Sequence, residues 1–149
     1  MAVDFKDLTL EDLFKALPFV VQPGFEGRWV YTLEMAEVDG KRVKNDKYWV
    51  AIEGGKVEWG TGASTEPTAT TFTVNMGGLD TLIALQVYGL PAATSGMILG
   101  YIFASNIKRA EMWFKLLKIG REEFVAALKQ AGIEVGSTDL PIYAELMVG

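Results

Sequence analysis

The chain contains neither cysteine nor histidine in its 149 residues. Without cysteine there is no disulfide, no thiolate zinc site and no cysteine nucleophile. Without histidine there are no imidazole ligands, no Ser-His-Asp triad and no histidine acid–base couple. Positive charge is in deficit: 14 Lys+Arg stand against 19 Asp+Glu, a net charge of −5. That balance argues against nucleic-acid binding. With 50% hydrophobic and 11% aromatic residues the chain is not an intrinsically disordered or low-complexity segment. What remains has the length of one domain, in which folding buries roughly 70% of the unfolded surface.

Local signals then order the chain. Thr9, with Asp12 three residues on, starts a helix carrying Leu10, Leu13, Phe14 and Leu17 until Pro18 stops it. From Arg28 the period changes to two: Trp29, Tyr31, Leu33 and Met35 share one face of a strand. Gly54-Gly55 suits a two-residue primed turn, whose central positions both need positive φ. The register that follows pairs Glu53 with Lys56, Ile52 with Val57, Ala51 with Glu58 and Val50 with Trp59. One sheet face is then buried and the other mostly wet. A further strand covers 70–74, and Gly77-Gly78 opens a helix holding Leu79, Leu82, Ile83 and Val87, with Gly89 and Pro91 after it. Residues 96–105 are expected as an apolar strand. Asn106 caps a helix whose apolar stripe runs on to Leu117 and Ile119, and 121–131 is a shorter helix. The order predicts an α+β fold with helices on one face of an antiparallel sheet.

Between Asp80 and Lys108 no residue is charged. The run is long enough for a membrane span, but Gln86, Gly89, Pro91, Gly96 and Gly100 break it into two short pieces. Two readings stay open: plain core, or an apolar surplus lining a cavity for a hydrophobic ligand. Six Met, at 1, 35, 76, 97, 112 and 147, would make such a lining adaptable.

The stretch from Val50 through Gly54-Gly55-Lys56-Val57 to Gly62 resembles the strand–Gly-Lys-Val–strand hairpin of the sterol-carrier-protein lipid-transfer domain. Pro67 with the Thr-rich strand, the helix from Leu82 to Gly89, and the strand-then-helix from Gly96 to Leu117 are similar to that family's next elements, in order. The resemblance covers roughly 28–119. It implies a five-stranded antiparallel sheet with helices on one face enclosing an apolar tunnel, and a protein that carries fatty acids, fatty acyl-CoA, sterols or phospholipids without turning them over. The chain is accordingly expected as a single domain, 1–149, with a core of 28–119 and a C-terminal helical extension of 120–149. It departs from the family pattern at Thr68, where an Asp is common, and at Tyr101 and Phe103, where lysines are usual. These departures, with an ending that carries no peroxisomal address, weigh against sterol and against peroxisomal exchange. The charged N-terminus does not read as a signal peptide, so a cytoplasmic protein is expected.

The expected tunnel lining is Leu82, Ile83, Val87, Met97, Ile102, Met112, Trp113 and Leu116, with Tyr143, Leu146 and Met147 as a lid. For the lining residues the alternative is ordinary core packing, and for the lid it is a frayed tail. Lys108, Arg109, Lys115, Lys118 and Arg121 form a basic stretch beside it, suited to a carboxylate, a CoA phosphate, an anionic membrane surface in transient contact, or simply to solvent. Residues 41–47 are expected as a charged hairpin loop. Trp49, Tyr101 and Phe103 on an outer sheet face suggest a partner surface, including a homodimer. We expect no cofactor and no metal. Three functions compete: a non-catalytic carrier of a fatty acid, fatty acyl-CoA or related lipid; an accessory subunit docking on a larger enzyme or on itself; and an enzyme relying on Glu34, Glu53, Asp80 and Tyr88.

Overall fold

The computed structural model describes residues 1–140. The expected lid, Tyr143, Leu146 and Met147, lies outside the described residues. The first helix, α1 (Leu10–Ala16), begins on the expected cap: the Thr9 hydroxyl accepts from the Asp12 N–H at 3.1 Å, and the Asp12 carboxylate accepts from the Thr9 N–H at 3.0 Å. A single 3-10 turn, Leu17–Phe19, holds Pro18 and ends it. Strands β1 (Arg28–Met35), β2 (Lys47–Glu53) and β3 (Lys56–Thr61) form a meander. The β2–β3 register is the one expected from Gly54-Gly55, whose φ angles are 58° and 77°.

The sheet is mixed, not antiparallel throughout. Its order is β3-β2-β1-β4-β5, and β4 (Thr70–Val74) runs parallel to β1. Two hairpin reversals leave β3 pointing the same way as β1. Residues 62–69 then cross the sheet and bring the chain back to the end at which β1 starts, so β4 runs with it. That crossing lies on the face away from the helices. The Ser64 N–H donates to the Thr32 hydroxyl at 3.0 Å, and Arg28 donates to both Glu66 carboxylate oxygens at 2.8 Å. Val30, Thr32 and Ala51, which alternation assigns to the wet face, are therefore buried.

After β4 come α2 (Gly78–Tyr88) and α3 (Leu90–Ile98). Here the expectation of a strand over 96–105 is corrected. Gly89 (φ 74°) ends α2, and Pro91 falls in the first turn of α3, where its missing N–H costs nothing. Only β5 (Ile102–Ala104) is a strand, antiparallel to β4. Asn106 caps α4 (Ile107–Leu116), its side chain accepting from the Arg109 N–H. Leu117 and Ile119 leave that helix, because the chain there pairs with the segment around Val21: Gln22 N–H donates to the Leu116 carbonyl and Lys118 N–H to the Val20 carbonyl, both at 2.8 Å. Helix α5 (Arg121–Gln130) buries Phe124, Ala127 and Leu128 in the same core as Phe5, Leu10 and Phe14. Among the described residues no helix is long and apolar enough to cross a membrane.

Candidate functional site

The inner sheet face presents Tyr31 and Leu33 from β1, Val50 from β2 and Phe72 from β4. Helices α1, α2 and α4 close over them with Leu13 and Phe14, with Leu82, Leu85 and Gln86, and with Ala110, Trp113 and Phe114. Between these layers is an apolar cavity of about 60 Å³. An apolar cavity of roughly 150 Å³ accepts benzene, so this one is too small for an acyl chain, and the described residues enclose no open tunnel. Gln86 is the one amide in the lining; its Nε2 donates to the Lys118 carbonyl at 3.2 Å, which keeps the buried group satisfied.

A second, open hollow of about 580 Å³ adjoins the first. Its walls are Arg28, Trp29, Val30 and Tyr31 of β1, Thr68 and Thr70 at the approach to β4, and Lys108, Arg109, Glu111, Met112 and Lys115 of α4. Tyr31 lines both hollows. Its ring packs edge-on against Trp113 with centroids 5.2 Å apart, and its hydroxyl donates to the Arg109 carbonyl at 2.7 Å. Burial pushes the Tyr31 phenol far above its ordinary value, partly offset by the Arg109 charge. Tyr31 is thus a neutral hydrogen-bonding group and not a base.

Of the eight expected lining residues, Leu82 and Trp113 border the cavity and Met112 borders the open groove. Ile83, Val87, Ile102 and Leu116 are buried in the core, and Met97 is half-buried on α3 against it. The sheet side of the cavity, Tyr31, Leu33, Val50 and Phe72, was not among the expected residues. The period-two pattern of β1 marks Tyr31 and Leu33 as one face, and that was the available signal.

The basic stretch separates in space. Lys108, Arg109 and Lys115 face the groove, whereas the Arg121 guanidinium donates to the Tyr88 hydroxyl at 2.8 Å and to the Thr138 carbonyl. Lys118 lies exposed in the segment that pairs with Val20. The groups available to an enzyme are dispersed. Asp80 is ion-paired with Arg42 at 2.9 Å, Glu53 lies 3.6 Å from Arg28, Glu34 is half-buried on the outer sheet face, and Tyr88 is held by Arg121. Phe103 is 58% exposed on β5, Trp49 lies half-buried over Gly60 on the outer face, and Tyr101 packs against the core in the turn before β5. A comparison with protein-family models and with curated proteins finds no match to the chain.

Proposed function

We propose that this protein is a non-catalytic binding or carrier protein, working in the cytoplasm, for a fatty acid, fatty acyl-CoA or related lipid. One observation carries the reading: an apolar cavity between sheet and helices that meets a charged, solvent-open groove at Tyr31. This is the polarity pattern an amphiphile needs, with an apolar interior beside a polar mouth. The sterol-carrier-protein resemblance points the same way. An acyl chain enters by displacing the half-buried Leu82, Trp113 and Phe114 outward, which widens the cavity into a tunnel. At about 0.8 kcal/mol per buried methylene, a fifteen-methylene chain contributes roughly 12 kcal/mol of gross transfer energy to drive that displacement.

The test is native mass spectrometry of protein purified without detergent, followed by denaturation and organic extraction. A co-purifying fatty acid or acyl-CoA supports the carrier and names its ligand class. Protein that is empty and leaves long-chain fatty-acid probes unchanged in fluorescence refutes it.

A second reading has its own observation. Phe103, Ile98 (79% exposed), Leu99 and Met76 leave apolar surface uncovered around β5 and the end of α3. An accessory subunit or homodimer would bury it, and a mass that rises with concentration in sedimentation would favour that reading.

A further inference from the structure

We propose that the open groove binds the anionic head, a carboxylate or a phosphate, of a single-chain amphiphile whose tail enters the adjoining cavity as Leu82, Trp113 and Phe114 move outward. This rests on the carrier reading and adds which end of the ligand meets which residues.

The charge balance of the groove comes first. Arg28 is neutralised by Glu66 at 2.8 Å. Arg109 lines the groove and is held in place by the Thr68 carbonyl, which accepts from its guanidinium and brings no opposing charge. Lys108 and Lys115 stand seven residues apart, on one face of α4. Among the described residues neither has a carboxylate within ion-pair distance. Three cations thus face one carboxylate, Glu111, in a protein of net charge −5.

An independent observation lies at the base of the groove. Thr70 is 1% exposed, and among the described residues its buried hydroxyl has no hydrogen-bond partner. Buried hydroxyls are ordinarily paired, so Thr70, a residue of the groove lining, brings a donor that an anionic head reaching the groove base would satisfy. Thr70 stands opposite Tyr31 in the β1–β4 register, and Tyr31 also borders the cavity. A head over Thr70 is therefore continuous with a tail passing Tyr31 and Trp113.

The experiment titrates the whole protein at pH 7 with dodecanoate, dodecyl phosphate and dodecanol by calorimetry. In parallel, acetate and inorganic phosphate are added while the amide signals of Thr70, Lys108 and Arg109 are followed by NMR. The two anionic chains are expected to bind at least about tenfold more tightly than the alcohol at low salt, with the gap closing as salt is added. Whichever anion binds tighter identifies the head. Lys108→Gln with Lys115→Gln removes the gap and leaves alcohol binding unchanged, whereas Glu111→Gln widens it. Thr70→Val weakens the anions without lowering the melting temperature, since it deletes an unpaired hydroxyl. Equal binding of acid and alcohol, or a gap that survives the double lysine change, overturns the head site and leaves the carrier standing. If acetate and phosphate shift the groove amides but no chain binds, the amphiphile is refuted in favour of a free-anion site and the carrier reading falls with it. Silence in every titration overturns both.

Discussion

Arg42 sits in the loop between β1 and β2, in the segment 41–47 expected as a charged hairpin loop and nothing more. Its guanidinium instead ties that loop to two elements: Nη1 to Asp80 at the start of α2, and, in the N-terminal turn Phe5–Asp7 and the residue after it, Nη2 to the Phe5 carbonyl at 2.9 Å and Nε to the Leu8 carbonyl at 2.7 Å. Removing one partner of such a mostly buried pair strands the other. Arg42→Met is expected to lower the unfolding free energy by about 3 kcal/mol in urea denaturation. Adding Asp80→Leu should recover a large part of that loss, because the two changes are not additive. Asp39, three residues before Arg42, ties the same loop: its carboxylate accepts from the N–H groups of Lys41, Arg42 and Val43 at 2.8–3.0 Å. These bonds, Val43 foremost, hold its carboxyl below the usual range. A depressed folded-state value means stability that is present above the unfolded pKa and is lost as pH falls through the folded one. Melting temperature should therefore drop on acidification below about pH 4, and Asp39→Asn should flatten that part of the profile while already melting lower at pH 7.

At the scale of elements, what one stretch of chain decides locally was legible. The capping box at Thr9, the primed turn at Gly54-Gly55 with its register, and the Asn106 cap each depend on residues a few positions apart. What failed depends on distant partners. Nothing within 70–74 says that its neighbour is β1 or that the pair is parallel. Leu117 has helical neighbours and still pairs with Val21, 96 positions earlier. Gly89 shows how one such junction is held. Its φ is 74°, and a Cβ there would lie 2.8 Å from the Ile119 Cγ2. Gly89→Ala is expected to cost about 2 kcal/mol by denaturant unfolding. Gly55→Asn, at a positive φ that Asn tolerates and with no neighbour within 4 Å, should stay within about 0.5 kcal/mol.

For the whole molecule, the core is continuous from the N-terminal turn through the sheet to α5, with Phe5 and Phe124 rings 5.6 Å apart. The apolar surplus visible in the sequence is divided between that core, the cavity and the uncovered side chains near β5. Trp113 is the lever on the cavity, since it is half-buried and packs against Tyr31. Trp113→Ala is expected to lower stability by about 3 kcal/mol through lost burial and added void. On the carrier reading, a saturating long-chain fatty acid should then return about 2.7 kcal/mol at a hundredfold excess over Kd. Thermal melts with and without the fatty acid check both numbers.

The sequence by itself determined the α+β class, the strand and helix starts that caps and turns mark, and the exclusion of thiol and imidazole chemistry, because each rests on composition or on neighbours a few residues apart. Tertiary structure alone decided the parallel β1–β4 pairing, the sorting of the basic residues into groove-facing and structural ones, and which apolar side chains border space rather than each other. Those outcomes depend on segments tens of residues apart meeting across the sheet. A buried leucine in a core and one beside a cavity have the same local pattern.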